Sequence, residues 1–524
     1  MKKVLLSSIL ALGSLCTLNA QMTEGVQARI YAYGLQQTVG EAVVENGTIT
    51  SYTLTFKTNT AATSAKVNLM NGKTVVASFE AEATDATKKS WKAVVNASKV
   101  ANAGTYTWAA EVSAPAVENW ATISDHTNYK DNFVLYRSYG LAIDNNPEND
   151  AFGTIYAVNQ ATATSYTKGI GMWTYNPELT LLNSSPYAVE GVIGDVSSAD
   201  SPSDMAIDSK GLLYLSNSST NGSGVYVVDP TKNYSAKQIF EGTRENGVIK
   251  DADGKEISSM VAAVGVYGKD SDREIFTIDN ATSVSTNFYI KRYEIGTQET
   301  WNTEASFKQN KFAISKTENM SVVNKNCAIE PIAEGYWITQ YRGTTSKYEP
   351  ILAFINNNNE VKYNYNLANE SFAGSSQNGA IAVDEKTKTV AVASANNVII
   401  MNYDIATDGT VTTSNEKTYS ITTNHRRPND MAFDYAGNLY SVTSNKETLS
   451  VWSVPTANNT CITPAKSTMT IEITANDIQT GVEEVGVDAN APVEYYNLQG
   501  VKVENPSNGI FIKKQGSRTS KVVL

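Results

Sequence analysis

The residues best placed to do chemistry lie in and beside two copies of one short phrase. SPSDMAIDSKGLLYL (201–215) returns as RPNDMAFDYAGNLYS (427–441), and the frame Pro-x-Asp-Met-Ala-x-Asp-x-x-Gly-x-Leu-Tyr is kept without a gap. Asp204 and Asp430 occupy equivalent positions, with Ser203 before the first and Asn429 before the second. A short carboxylate at such a place caps loop amides, and its repetition favours a duty common to both copies. His425, Arg426 and Arg427 precede the second copy in a chain that is otherwise acidic. Their charge suits a carboxylate or sulfate on a ligand, and equally the neutralisation of nearby aspartates. Tyr341 and Arg342, in TQYRG (339–343), follow a strand-like run and suit the same kind of ligand contact. The 28 tyrosines offer flat faces for sugars, although tyrosine is also a good strand residue.

Other chemistries find little support. DADGKE (251–256) and DNNPEND (144–150) carry oxygen donors, but neither completes a twelve-residue Ca²⁺ loop with its final glutamate, so both read as solvated turns. With only His126 and His425, a multi-histidine zinc site has no ligands and a histidine base few options. No Gly-x-Ser-x-Gly elbow is present, and FAGSSQNG (372–379) lacks its spacing. Phosphate-cradling and dinucleotide-binding glycine loops are also missing from the sequence.

The first twenty residues read as a secretory leader. Lys2 and Lys3 precede an apolar run that ends at LNA, with cleavage after Ala20. The rival, lipoprotein cleavage at Cys16, would need a small residue where Leu15 stands. Loss of the two lysines takes the formal charge from −11 to −13, which disfavours a nucleic-acid partner. After the leader, no apolar run is long enough to span a bilayer. Cys327 and Cys461 remain; they can pair in an oxidising compartment but make no disulfide framework.

These residues need elements to hold them. In DMAIDSKGLLYL, Asp208 and Gly211 bracket a tight turn, because aspartate bonds the turn amides and glycine accepts a positive φ. Similar hairpins begin near residues 140, 203, 262, 329, 380 and 430, and third strands follow, such as GVYVVDP (224–230), FYIKRYEI (288–295) and LSVWSVP (449–455). A hairpin with outer strands, recurring every ~40–60 residues, predicts the blades of a β-propeller over 136–478. Six blades are expected, seven being the alternative, with STMTIEI (467–473) closing the ring. The alanine of each Ala-x-Asp signature fits inner strands that converge on an axis.

Residues 21–135 alternate apolar and polar positions in several stretches, with a hairpin at Asn71-Gly72, and predict an immunoglobulin-like β-sandwich. Residues 479–492 are acidic and poor in apolar side chains, a linker. Residues 493–524 form a small β-module with two hairpins, and the whole chain is expected to be all-β.

Two resemblances follow from these stretches. YYNLQGVKV (495–503), NGIFI (508–512) and KVVL (521–524), with Tyr495, Tyr496, Asn497, Gly500, Gly509 and Lys521 as the markers, resemble the C-terminal sorting domain of Bacteroidetes proteins exported by the type IX secretion system. That resemblance implies the secretion machinery as a partner and delivery to the medium or the cell surface. The repeated phrase resembles the blade opening of NHL-repeat, gluconolactonase-like and YncE-like propellers. In the gluconolactonase-like enzymes, carboxylates and an asparagine around the central channel hold a divalent cation. Asp204, Asn429 and Asp430 match that set, while Ser203 replaces the asparagine in the other copy and the N-terminal glutamate ligand has no counterpart. Two functions are therefore expected. One is a non-catalytic binder of a glycan or protein ligand at the propeller mouth, without a cofactor. The alternative is a lactonase-type hydrolase that uses Ca²⁺ or a similar ion.

Overall fold

The computed structural model describes residues 21–39, 51–161, 168–189, 192–193, 201–240, 242–279, 287–296, 308–315, 327–339, 352–365, 379–394, 396–421, 428–443, 448–471, 491–516 and 518–524. The leader, Tyr341, Arg342, His425, Arg426, Arg427 and the linker core lie outside them. The chain is all-β and divides into two compact units. The larger holds Met1–Gln37, Thr53–Val94 and Thr107–Thr468; the smaller holds Thr38–Tyr52, Val95–Tyr106 and Met469–Leu524. Among the described residues no helix is long and apolar enough to cross a membrane.

Within the larger unit, six antiparallel sheets form a β-propeller. Blade 1 has strands Leu141–Ile143, Ile155–Asn159 and Gly171–Tyr175, counted outward from the axis. Blade 2 has Asp204–Ile207, Leu213–Asn217, Gly224–Asp229 and Ser235–Gln238. Blade 3 begins with Val261–Tyr267, blade 4 with Ile329–Ile332, blade 5 with Ile381–Asp384 and blade 6 with Pro428–Phe433, each continued by hydrogen-bonded neighbours in chain order except for the outermost strand of blade 6. The innermost strands lie side by side in this order, and the sixth lies beside the first, so the ring is closed with six blades.

The packing explains why the strands read as apolar runs. Successive residues of a strand point to opposite faces, and both faces of a blade are covered by the neighbouring blades. In blade 1, Ile155 and Ala157 pack with Tyr440 and Val442 of blade 6, while Tyr156 and Val158 pack with Met205 and Leu213 of blade 2. One apolar cluster of this kind fills each gap around the ring. Where inner strands approach most closely, even a methyl group has no room. A Cβ on Gly265 of blade 3 would stand 2.4 Å from Pro331 Cδ and 2.5 Å from the Ile329 oxygen of blade 4.

The outermost strand of blade 6 is Ala121–Thr122, paired as Trp452↔Thr122 and Ser453↔Ala121. The ring therefore takes its last strand from the N-terminal side, and its first residues lie before position 136. Residues 467–471 do not close it. They belong to Thr460–Ile471, a strand of the sheet that also contains Gly104–Ser113, Ser64–Asn71 and Thr74–Glu80. The Ala114 amide donates to the Asn459 oxygen and Trp108 Nε1 donates to Ser467 Oγ (2.9 Å), which fixes that strand in place. The hairpin at Asn71-Gly72 forms as Asn71↔Thr74, with Gly72 at φ 60°. A further small sheet, Thr243–Glu245, Val248–Lys250 and Glu256–Ser258, is inserted between blades 2 and 3.

In the smaller unit, Lys502–Val503, Val493–Tyr496, Ile510–Gln515 and Arg518–Val523 form one sheet in that order. Asn497 Oδ1 accepts from the amides of Gln499 and Val501, and Gly500 (φ 83°) completes the turn.

Candidate functional site

The inner strands surround a central channel of about 160 Å³, to which every blade contributes, from Leu141 and Ala142 of blade 1 to Met431 and Ala432 of blade 6. Ala142, Ala206, Ala382 and Ala432 line it, so the small residue of the repeated signature faces the axis in four blades. The aspartates stand where the inner strands begin, and each binds across to the next blade. Asp204 Oδ2 accepts from the Val264 amide of blade 3 at 2.9 Å, and Oδ1 accepts from Met205 at 3.0 Å. Asp430 repeats the geometry at the junction that closes the ring: Oδ2 accepts from Leu141 of blade 1 at 2.7 Å, and Oδ1 from Met431 at 2.8 Å.

The preceding residue adds a second tie in each copy. Ser203 Oγ donates to the Val261 oxygen (2.7 Å), and Asn429 Nδ2 donates to the Ser138 oxygen (2.9 Å). Ser203 and Asn429 are thus the same device in two side chains. The amides that the aspartates hold are not loop amides, as capping would have it, but those of the adjacent blade and of the strand itself. The phrase recurs because two blade junctions are fastened in the same way.

The hairpin aspartates show the same economy of design. Asp208 Oδ1 accepts from Lys210 and Leu212, and Asp434 Oδ1 from Ala436 and Asn438, with Gly211 (φ 82°) and Gly437 (φ 89°) at the turn ends. Asp144, expected in a solvated turn, is buried, and it holds the Asn146 amide and Asn149 Nδ2. Asp251 accepts from Asp253 and Lys255 in the turn of the inserted sheet.

A third carboxylate went unmarked in the sequence. Glu330 lies on the inner strand of blade 4 and lines the channel, so acidic groups occupy blades 2, 4 and 6. The signal was a lone glutamate inside the apolar run AIEPIA, where an unpaired charge is out of place. Burial pushes Asp204 up to about 7, against the pull of its two amides. Burial, then Asp204 and Glu385, push Glu330 up to about 8. Asp430 is raised well above the ordinary carboxylate range by burial and by the charge of Asp204. Burial thus favours the protonated form of Glu330 at the channel wall and of Asp204 and Asp430 where their strands begin.

No family model matches the chain, and no curated protein is matched. Among solved structures the chain is similar to a protein from Lactobacillus plantarum, at 12% identity and a TM-score of 0.31, covering 76% of this chain and 99% of that one. A structure of a nidogen/laminin complex is similar at 9% identity and a TM-score of 0.31, covering 75% and 99%. The propeller assignment rests on the closed ring of sheets and takes nothing from these likenesses.

Of the residues singled out in the sequence, Asp204, Asn429 and Asp430 belong to one ring of blade junctions. Among the described residues, no group of three or more histidine, cysteine, aspartate or glutamate side chains is arranged to hold a metal ion. Cys327 and Cys461 are buried thiols and are not joined.

Proposed function

We propose that the chain is an exported β-propeller protein that binds a glycan or protein ligand at the channel mouth without catalysing a reaction. The observation that carries this reading is that backbone amides take both carboxylate oxygens of Asp204 and Asp430, one across the blade junction and one within the strand. The residues that most resembled a reactive set serve as framework. Thr339 ends a strand and Pro428 begins one at the end of the ring where the inner strands start. In the sequence Tyr341 and Arg342 follow Thr339, and His425, Arg426 and Arg427 directly precede Pro428, which supports a polar, partly basic mouth.

A lactonase-type hydrolase with Ca²⁺ is the second reading, and Glu330 favours it, since a carboxyl group on the channel wall that burial pushes up to about 8 suits a general acid. Calcium titration followed by thermal melting separates the two. A site occupied at a hundredfold above its Kd adds ~2.7 kcal/mol. The binding reading expects no such rise and a hit on a glycan or protein array. A rise that Asp430→Ala removes, together with lactone hydrolysis, would replace it with the enzyme.

Export rests on the leader and on the tail. The tail's hairpins, with Tyr495, Tyr496, Asn497 and Gly500 at the first and Gly509 and Lys521 in the second, support recognition by the type IX machinery. Deleting residues 481–524 is expected to leave the protein in the periplasm of a host with that system. A truncated chain that still reached the medium or surface would end the sorting reading.

A further inference from the structure

A second cavity, of about 710 Å³, lies between blades 5 and 6 and is walled by one face of blade 5. That face carries a continuous polar ladder. Asn415 Nδ2 donates to Asn402 Oδ1 (3.1 Å), and Asn402 Nδ2 donates to Thr389 Oγ1 (3.1 Å). Thr389 Oγ1 is 2.9 Å from Thr387 Oγ1, which donates to Asp384 Oδ2 at 2.6 Å. A hydroxyl has one proton, so Thr389 must donate to Thr387. Every bond in the row thus points towards the Asp384 carboxylate, and each polarises the next. Asp384 is further held by the amides of Lys386 and Thr387. Asn415 has φ 52° at a bulge in its strand, which turns its amide into this row. Its carboxamide oxygen makes no hydrogen bond among the described residues.

Two cations and a ring complete the walls. Arg29 Nε donates to the Val454 oxygen and Nη2 to the Pro455 oxygen, both at 2.8 Å. No carboxylate pairs with its guanidinium among the described residues, and burial weakens its hold on the proton while Asp434 and Asp384 support it. Nη1 passes over Gly437, where a Cβ would stand 2.7 Å from it. Lys417 lines the same cavity and is exposed. Tyr419, two residues along the strand, is the outer ring of a stack: Trp120 lies 4.5 Å from it at 9°, and Trp452 lies 5.2 Å beyond at 9°. The stack holds Tyr419 rigid as one wall.

We infer that this groove binds an acidic saccharide, its carboxylate or sulfate between Arg29 and Lys417, its hydroxyls on the Asn402–Asn415 amides and its apolar face against Tyr419. A guanidinium bonded only to carbonyls retains charge for an anion. An aromatic wall beside amides and hydroxyls matches the amphipathic faces of a sugar ring. The site is separate from the channel mouth and does not depend on what binds there.

Titration calorimetry with uronate, sulfated and neutral oligosaccharides of matched length tests it on the full mature chain. One anionic class is expected to bind, with the neutral one at least tenfold weaker and the difference shrinking with salt. The binding class identifies which anion the groove takes. Lys417→Glu is expected to weaken binding about tenfold, and Asn415→Gly, which keeps the positive φ, to weaken it without lowering the melting temperature. Equal binding of the neutral sugar, binding by none of the three, or unchanged affinity in both variants would overturn the assignment. In the last case, with binding retained, the sugar sits elsewhere, and the mouth reading is untouched.

Discussion

Raising the pH from about 6.5 to about 8 is expected to destabilise the propeller by about 2 kcal/mol. The cause is the set of carboxyl groups on blades 2, 4 and 6. An unfolded chain ionises its aspartates and glutamates near pH 4, whereas Asp204 is held up to about 7 and Glu330 to about 8 in the fold. Across this window the folded state therefore binds more protons than the unfolded one, and stability falls as pH rises. Their contribution is fully present below pH 4 and is lost as the pH passes through the folded values. His126 acts in the opposite sense. Burial lowers it to about 4, so its stabilising effect is lost as pH falls below about 6.5, outside the chosen window. Melting curves at the two pH values measure the slope directly. Glu330→Gln is expected to flatten it and to raise the melting temperature at pH 8, because it removes a buried charge that faces Asp204 and Glu385. A transition that stays level or rises over this range would refute the arrangement.

The part of the fold that was legible in the sequence is the part that local chemistry determines. Asp208 with Gly211, and Asp434 with Gly437, advertise their turns because a short carboxylate and a positive φ are needed within four residues. The hairpins near 262 and 329 lack the Ala-x-Asp signature, and only their outline marks them in the sequence. Blade closure was not legible in the same way. Ala121–Thr122 is too short to carry a pattern, and its partners Trp452 and Ser453 are far along the chain. The misplaced strand did carry a usable sign. Thr460–Ile471 alternates exposed and buried residues, while Leu439–Thr443 and Thr448–Ser453 are buried throughout. Alternation marks a sheet with one wet face, whereas these second and third strands of blade 6 are covered on both faces by the neighbouring blades. The candidate site divides along the same line. Asp204 and Asp430 were visible as a repeat, but their partners Val264 and Leu141 lie 60 and 289 residues away, and nothing short-range in a sequence specifies such bonds. Glu330 lacks the repeat altogether, and only its neighbours make it conspicuous.

The repeat also hides a difference with a large consequence. Asp208 and Asp434 cap the same turn, yet their second oxygens are served differently. Asp434 Oδ2 accepts from Asn438 Nδ2 at 2.8 Å, whereas Asp208 Oδ2 lies 3.0 Å from Arg273 Nε of blade 3, with the Tyr214 hydroxyl donating at 3.1 Å. The Arg273 and Asp208 side chains are 3% and 0% exposed. At Asp208, burial raises the pKa and Arg273 is the largest influence lowering it. Losing one member of a buried pair leaves the other charge desolvated, which costs roughly 3–5 kcal/mol. Arg273→Met is therefore expected to destabilise the propeller by that amount at pH 7. The loss should shrink towards pH 4, where Asp208 can be protonated. Asp208→Asn in the same chain should recover part of it, because the neutral amide still accepts from Lys210 and Leu212 and leaves no buried charge. Asp434 provides the internal control, since its second oxygen is served by Asn438 and not by Arg273, and should be insensitive to the change. Thermal melting of the single and double variants at both pH values decides the matter. If Arg273→Met melts within a degree or two of the parent at pH 7, the pair contributes nothing net, and the blade 2–blade 3 junction is held by Asp204, Ser203 and apolar packing alone.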